Sequence, residues 1–205
     1  MTTYLHITII GLSLFGIVTS YPNGQNVDAS CDSMIPSHRV NAQSDGAPFQ
    51  ITFCPAWYQA GSTVTVTISN TSMTYFKGFM VQARQYSGTS TGYGQFKTTA
   101  YSNNACSSSA VVHNGDGNKA KLSFQWTAPA AASGNLKFLA TFVKSERVFW
   151  VQVPSSQLTD MTGQNVTATN CTTPDDTSSS VRTETMSFLF VVLCICISNF
   201  LIVTV

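Results

Sequence analysis

The sequence predicts an all-β domain from about Ala29 to Val153, and three observations predict it. Several segments alternate apolar and polar residues with the period of two that is typical of half-buried strands. Clusters of Gly and Asn, which favour tight turns, separate these segments. No long segment has the period of an amphipathic helix. Short strands joined by turns are typical of an antiparallel β-sandwich of the immunoglobulin-like kind.

Three segments place their apolar side chains on one face, which is expected to lie against the core. These faces are Val64, Val66 and Ile68 in segment 63–69, Leu122, Phe124 and Trp126 in segment 120–126, and Leu136, Phe138, Ala140 and Phe142 in segment 136–143. Segments 76–85 and 147–153 are rich in aromatic and β-branched residues and are predicted strands as well. Residues 21–32 are polar and are expected to be irregular.

The N-terminus has the pattern of a secretory signal peptide. An apolar run from Ile7 to Val18 is followed by Thr19 and Ser20, and an apolar core followed by small residues is typical of such a leader. The run is shorter than the roughly 20 residues that a membrane span needs. We therefore predict that residues 1–20 are removed and that the domain proper covers residues 21–171.

The C-terminus has the pattern of a glycosylphosphatidylinositol (GPI) signal. Residues 172–187 form a predicted Ser/Thr-rich stalk, and residues 188–205 form an apolar tail. Small residues, a short polar spacer and a hydrophobic tail define such a signal. Ser178, which two further serines follow, is the predicted attachment residue, so the tail is expected to be removed. The alternative is a short transmembrane helix, although no Lys or Arg follows the apolar run.

Four cysteines lie between the two ends: Cys31, Cys54, Cys106 and Cys171. An even number in a secreted domain favours two disulfides, and four cysteines allow three pairings. A zinc site is disfavoured because no two of these cysteines have the close spacing of metal ligands. Three Asn-x-Ser/Thr motifs, at Asn70, Asn165 and Asn170, are predicted N-glycosylation sites in a secreted chain.

Several motifs resemble those of reeler (reelin-type) domains. The segment from Cys31 to His38 resembles their opening Cys…Met-x-Pro-x-His, and residues 76–84 resemble their F-x-G-F-x-x-Q-A-R strand. Further matches, in the family's order, are Cys106 with Ala110–His113, then Trp126–Pro129, Gly134–Asn135 and Phe149–Val151. The chain is therefore identified as similar to reeler domains over roughly residues 29–153.

This resemblance implies a fold, a disulfide pattern and a set of biological settings. In the family the opening cysteine pairs with the middle one, which implies Cys31–Cys106 and leaves Cys54–Cys171 as the second pair. Reeler domains occur in ferric-chelate-reductase-like membrane proteins, in reelin and spondins, and as stand-alone defence proteins of invertebrates. This chain is similar to the stand-alone kind, from which it departs by its extra cysteine pair and its hydrophobic tail.

The two histidines of the predicted domain, His38 and His113, were considered for catalysis and for metal binding. Neither is accompanied by a nucleophile motif, and both fall inside family segments, so each is expected to be a hydrogen-bonded, partly buried side chain. The sequence therefore predicts no enzyme activity, no catalytic residue, no cofactor and no bound metal. An enzyme-accessory or metal-handling ectodomain, whose metal binding would depend on His38 and His113, is kept as an alternative.

Two groups of side chains are candidates for ligand contact. One is a basic set that would bind anionic glycans or lipid A-type phosphates if its members shared a sheet face, although a solvated sheet face is the favoured interpretation. It consists of Lys119, Lys121, Lys137, Lys144 and Arg147. The other is a set of aromatic residues that would stack on sugars if exposed, although loop anchors are the favoured interpretation: Trp57, Tyr58, Tyr86 and Tyr93.

The predicted function is recognition or adhesion at the outer face of the plasma membrane, with innate defence against microbes as its expected setting. The expected partners are microbial or host surface glycans or a protein, together with the membrane through a lipid anchor. A purely structural surface or matrix protein is a further alternative, and a single-pass or freely secreted chain is the alternative location. With 9 % charged residues and a net charge of +1, the chain lacks the dense basic face of a nucleic-acid-binding protein.

Overall fold

The computed structural model describes Gly24, residues 27–88 and residues 92–171. The predicted signal peptide, the stalk with Ser178, and the hydrophobic tail lie outside these residues. Within them, a 3-10 turn at Asp28–Ser30 precedes ten strands. The strands are β1 (Phe49–Cys54), β2 (Trp57–Tyr58), β3 (Thr63–Asn70), β4 (Gly78–Gln85), β5 (Gln95–Phe96), β6 (Ser102–Ala105), β7 (Ala110–His113), β8 (Lys121–Thr127), β9 (Leu136–Ser145) and β10 (Val148–Asp160).

The strands form two sheets that pack face to face. One has four strands in the order β1-β3-β8-β5, and the other has six in the order β2-β10-β9-β4-β7-β6. The predicted β-sandwich is therefore confirmed. One pairing departs from the antiparallel prediction, because β2 runs parallel to the end of β10. The two-residue β2 follows directly from β1 and extends the sheet edge beyond β10, which a sequence pattern of two residues cannot reveal.

The main core lies between the sheets, and the predicted faces are confirmed. Val64, Val66 and Ile68 of β3 are fully buried. Opposite them, the apolar face of β9 meets the aromatic side chains of β8, with the Trp126 and Phe138 rings 5.4 Å apart and edge to face. Large aromatic side chains bury the most apolar area per residue. Their interlocking rings therefore provide much of the stabilisation that holds the two sheets together.

A second apolar cluster covers the outer face of the six-stranded sheet. The segment 28–48, called the strap below, crosses this face before it enters β1. Met34 of the strap is buried against Met80 of β4, Val112 of β7 and Leu139 of β9. These side chains alternate along their strands with the residues of the main core, as the pleat requires. The strap thus shields the outer face of the sheet from water.

The last strand extends further than the sequence suggested. The apolar pattern ended at Val153, but β10 continues to Asp160. Its second half is polar on the outside and pairs with β9 through register shifts near Trp150 and Pro154. The Ser155 hydroxyl accepts a hydrogen bond from the backbone N–H of Phe138, so a side chain replaces part of the strand ladder. Composition alone hides a strand of this kind.

The two ends of the sandwich carry different features. At one end lie the start of β4 at Gly78, the end of β7 at His113 and the turn between β9 and β10. At the opposite end lie Cys54, at the end of β1, and Asp160, at the end of β10. The described residues contain no helix with the length and apolarity that a membrane crossing requires.

Candidate functional site

A cleft of about 740 Å³ opens at the His113 end of the sandwich. Its walls are the strap, the start of β4, the end of β7 and the end of β9. Apolar side chains form its floor, and charged side chains and both histidines form its rim. We call it the strap cleft. Its floor includes Met34, Met80, Val112 and Val143, and its rim includes His38, Arg39, Lys77, His113, Asp116, Lys144, Glu146 and Arg147.

Three hydrogen bonds hold the strap wall in place. The Thr141 hydroxyl donates to the carbonyl oxygen of Met34 at 2.7 Å. The Gln152 side-chain amide donates to the carbonyl of Ser33 at 2.9 Å, and the Ser30 hydroxyl donates to the carbonyl of Ile35 at 2.8 Å. Met34 has a positive φ of 55°, a conformation that costs a non-glycine residue about 1–2 kcal/mol. Its buried side chain and these bonds offset that cost.

Positive charge exceeds negative charge at the rim. Four cations, Arg39, Lys77, Lys144 and Arg147, face two carboxylates, Asp116 and Glu146. Lys144 lies over the ring of Tyr75 at 5.7 Å. In the part of the chain that the structure describes, no ion pair ties any of these four cations to a carboxylate. They therefore remain available to an anionic ligand.

The strap cleft brings the two histidines of the domain to one site. His113 Nδ1 lies 3.3 Å from the backbone of Phe79, in agreement with the expected hydrogen-bonded histidine. His38 departs from that expectation. Its ring packs edge-on against Phe149, and within the described residues its buried Nδ1 has no hydrogen-bond partner. Burial lowers the pKa of His38, and the nearby Glu146 carboxylate offsets part of this effect.

The basic set proposed from the sequence does not share one face, so its interpretation as a common anion-binding face is wrong. Lys144 and Arg147 line the strap cleft. Lys121 lies on β8 in the other sheet, and Lys137 lies over the ring of Tyr86. Strands of separate sheets, and opposite faces of one strand, point such side chains in different directions. The cleft instead includes Arg39, which directly follows one family motif, and Lys77, which occupies a variable position within another. Neither residue carries a signal of its own in the sequence.

Lys119, the remaining member of the basic set, has a structural role. Its ammonium donates to the carbonyl oxygens of Lys77, Gly115 and Gly117 at 2.7, 2.9 and 2.7 Å. Burial lowers its pKa, and the Asp116 carboxylate opposes that shift. Three carbonyls use all three N–H donors of the ammonium. Lys119 therefore fixes the loop that forms one side of the cleft rather than contacting a ligand.

The aromatic residues considered for sugar stacking do not form a common surface. Tyr58 is fully buried, while Tyr86 is exposed. Trp57 and Tyr93 are half-buried, and the carbonyl of Tyr93 accepts a hydrogen bond from the Trp126 indole at 2.9 Å. Both positions agree with the favoured interpretation of these residues as loop anchors.

Both disulfides implied by the resemblance are present, Cys31–Cys106 and Cys54–Cys171. Among the described residues, one cluster has the spacing of three potential metal ligands, namely Asp28, Cys31 and Cys106. Its two sulfurs are joined to each other and so offer no thiolate to a metal.

Of the predicted glycosylation sites, Asn165 and Asn170 are exposed. Asn70 is half-buried and its amide donates to the carbonyl of Thr74 at 2.7 Å.

The family model described as "Reeler domain" matches residues 29–166. Among curated proteins, "Putative ferric-chelate reductase 1" of Danio rerio is 38 % identical over 176 residues, which cover 83 % of this chain and 30 % of that protein. "Putative defense protein 3" of Antheraea mylitta is 34 % identical over 151 residues, which cover 72 % of this chain and 91 % of that protein. The chain thus spans nearly all of the second relative and under a third of the first.

The fold is shared with a solved reeler domain. The reeler domain of human F-spondin aligns with a TM-score of 0.51 at 19 % identity, and the alignment covers 58 % of this chain and 94 % of that domain. At this identity the likeness concerns the arrangement of the strands alone.

Proposed function

Because the chain belongs to the reeler domain family, we propose that it is a non-catalytic recognition or adhesion module that works at the cell surface in defence against microbes. The relative that it matches over nearly its full length bears the name of a defence protein. The chain matches the reductase relative over 30 % of that protein's length, so the reductase activity of that protein is not transferred. The proposed location is the outer face of the plasma membrane, with a GPI anchor at Ser178.

The observation that carries this proposal is the strap cleft with its four cations. A concave site with an apolar floor and a few convergent polar groups is the usual form of a ligand-binding pocket. Excess positive charge in such a concavity attracts anions and raises their rate of association. The proposed ligand is an acidic glycan on a microbial or host surface, whose carboxylate or sulfate groups would contact Arg39 and Arg147.

An array of neutral and acidic glycans, probed with the purified protein, tests the proposal. We expect binding to acidic glycans that weakens as salt is raised from low to physiological concentration, because salt screens exposed charges. The double variant Arg39→Gln/Arg147→Gln should reduce that binding at least about tenfold, since each charge-assisted contact contributes about 1.5–3 kcal/mol.

A matched control removes the same amount of charge elsewhere. Lys97→Gln/Lys121→Gln changes two exposed lysines at or beside the four-stranded sheet and should leave binding unchanged. An equal loss of glycan binding in the two double variants would show that net charge alone explains the effect, and would contradict a site in the strap cleft. Capture of a protein and no glycan would replace the proposed ligand with a protein partner.

A second candidate function is the handling of a metal ion. It is favoured by one observation, that His38 and His113 line the same cleft as Asp116 and Glu146, since imidazole and carboxylate groups are common ligands of zinc, copper and iron. Calorimetry with Zn²⁺, Cu²⁺ and Fe³⁺ decides it. Saturable binding that is lost in both His38→Ala and His113→Ala would support this function, and its absence would exclude it.

A further inference from the structure

A buried arginine lies beneath the Cys31–Cys106 disulfide, and among the residues that the structure describes it forms no ion pair with a carboxylate. Arg84 is 5 % exposed, and its guanidinium donates to the side-chain oxygen of Gln82 from both Nε and Nη2, at 2.9 and 2.6 Å. Nη2 also donates to the backbone carbonyl of Cys31 at 2.5 Å. A buried cation is normally paired with an anion. Here the exposed Asp32 supplies only a longer-range attraction.

The Gln82 side chain links Arg84 to a sulfur atom through hydrogen bonds. Gln82 is fully buried, and while its oxygen accepts from Arg84, its amide nitrogen donates to Cys106 Sγ at 3.2 Å. A hydrogen bond to the oxygen of an amide strengthens the N–H groups of the same amide as donors. The arrangement therefore stabilises negative charge on Cys106 more than on an ordinary half-buried cysteine.

The Asp28 carboxylate lies close to both sulfurs of the disulfide. A carboxylate oxygen of Asp28 lies 3.8 Å from Cys31 Sγ, and the same oxygen accepts a hydrogen bond from the backbone N–H of Cys106 at 2.8 Å. A nearby anion disfavours a thiolate. The two halves of this disulfide are unequal because the Gln82 amide donates to Cys106 Sγ and offsets the effect of the carboxylate there. Cys106 is therefore the better leaving group.

The disulfide is also accessible, and its surroundings are strained. Both cysteines line an open hollow of about 600 Å³. Cys106, Ser107 and Ser108 have positive φ values of 53°, 55° and 70°, a run of left-handed conformations that non-glycine residues rarely adopt. The bond ties the strap to this turn between β6 and β7, so that opening it would remove the covalent link between the two segments.

We propose that Cys31–Cys106 is a thiol-exchange site, at which an external small-molecule or protein thiol attacks Cys31. The attacking thiolate forms a new S–S bond with Cys31 Sγ, and Cys106 Sγ leaves with the electron pair and takes a proton from water. A second thiol then attacks the mixed disulfide and frees Cys31. Two external thiols are oxidised to one disulfide, while the protein disulfide is reduced to two thiols. The hydrogen bond from the Gln82 amide stabilises the departing Cys106 thiolate and so accelerates the first step.

The experiment compares the two disulfides of the purified protein. β-Mercaptoethanol is added, free thiols are alkylated at timed intervals, and peptides are quantified by mass spectrometry. We expect Cys31–Cys106 to open about tenfold faster than Cys54–Cys171, and the trapped mixed disulfide to lie on Cys31. Equal rates, or a mixed disulfide found mainly on Cys106, would overturn the proposal. This comparison needs no variant.

A variant tests the Gln82 link itself. Gln82→Glu keeps an oxygen for Arg84 but replaces the N–H donor that faces Cys106. We expect it to slow the opening of Cys31–Cys106 about tenfold and to leave Cys54–Cys171 unchanged. Gln125→Glu, on the exposed face of β8, adds the same charge far from the disulfide and should change neither rate. An unchanged rate in a folded Gln82→Glu protein would refute the role of the Gln82 link.

The charge of the attacking thiol gives an independent test. Because Asp28 adjoins Cys31, cationic cysteamine should open the bond faster than anionic thioglycolate at equal thiolate concentration. Asp28→Asn, which retains an acceptor for the Cys106 N–H, should remove most of that difference. The same preference in Asp28→Asn as in the unchanged protein would show that Asp28 does not select the attacking thiol, and the position of attack is decided by which cysteine carries the mixed disulfide.

Discussion

The Tyr58 hydroxyl donates a hydrogen bond to the carboxylate of Asp160 at 3.0 Å, and this contact joins the short strand β2 to the end of β10. The same carboxylate oxygen accepts from the backbone N–H groups of Ser133 and Gly134 at 3.0 and 2.8 Å. Its other oxygen accepts from the N–H of Thr162 at 2.9 Å. One carboxylate therefore fixes three segments at the Cys171 end of the sandwich.

The first prediction concerns acid stability at Asp160. Burial alone would raise its pKa, but hydrogen bonds from Thr162, Gly134 and Tyr58 outweigh burial and lower it to about 2. Because the folded pKa lies below the ordinary value of 3.8, its contribution to stability is full above that value and is lost as the pH falls toward 2. Asp160→Asn should lower the free energy of unfolding at pH 7 by about 2 kcal/mol. It should also make the further decrease in that free energy at acid pH smaller.

Urea unfolding at pH 7, 4 and 2.5 measures both effects. Asp45→Asn, which changes an exposed carboxylate of the strap, serves as the control and should unfold like the unchanged protein. An Asp160→Asn protein whose stability falls just as steeply between pH 4 and pH 2.5 would contradict the assignment.

The second prediction concerns His38 and mildly acidic pH. Burial lowers the pKa of this histidine below its ordinary value of 6.5, so the unfolded chain binds a proton more readily than the folded one. Stability is therefore full above pH 6.5 and declines as the pH falls below it. His38→Gln removes this titration and should lose less stability between pH 7.5 and pH 5. Parallel losses in the two proteins, measured by urea unfolding, would show that His38 is not the group responsible.

The third prediction uses two glycines with left-handed backbones. At Gly94, with φ of 65°, an added Cβ would overlap the carbonyl oxygen of Thr127 and lie 2.6 Å from the Trp126 ring. At Gly61, with φ of 71°, it would meet nothing within 4 Å. Gly94→Ala should therefore cost about 3 kcal/mol, and Gly61→Ala only about 1 kcal/mol of conformational strain. Thermal unfolding of both variants checks the ranking, and equal losses would show that the ring makes room.

The fourth prediction concerns the Cys54–Cys171 disulfide, which closes a loop across a sequence separation of 117 residues. In the chain-entropy model a bond across so long a loop contributes about 4–5 kcal/mol, because it restricts the unfolded chain. The double variant Cys54→Ser/Cys171→Ser should lower the midpoint of thermal unfolding by roughly 10 °C. An unchanged midpoint would mean that the last residues of the domain add nothing to its stability.

The fifth prediction concerns the proposed anchor. Treatment of intact expressing cells with phosphatidylinositol-specific phospholipase C should release the domain into the medium, because a GPI anchor ends in a phospholipid. Ser178→Leu should reduce surface display, since the attachment site requires small residues. Recovery of a peptide that contains Val205 from the surface protein would show that the C-terminal tail is retained, which contradicts the anchor.

The parts of this fold that the sequence predicts are those that depend on local spacing. The period of two in Val64, Val66 and Ile68 specifies which side of β3 is buried, because a strand has only two faces. The second half of β10 escaped prediction because its polar residues are held by cross-strand pairing and by the Ser155 hydroxyl, neither of which is local.

The strap cleft was less predictable for the same reason. It joins Arg39 to Lys144 and Arg147, which lie more than a hundred residues further along the chain. The proximity of these charges follows from the path of the strap across the sheet, and that path depends on Met34 and on the hydroxyl of Thr141. The motifs around His38 and His113 belong to two walls of the cleft, but nothing in the motifs indicates that these two walls face each other.

The positions of Cys54 and Cys171 also determine how the domain would bear a mechanical load. If a ligand in the strap cleft were pulled away from a membrane-tethered chain, tension arriving at Cys171 would pass through the covalent bond into β1, bypassing the end of β10. The force would then run along the strands from one end of the sandwich to the other. Because the strap leads directly into β1, this path is covalent from the strap to Cys171, and a load on the strap would not have to break the six residue pairs between β1 and β3.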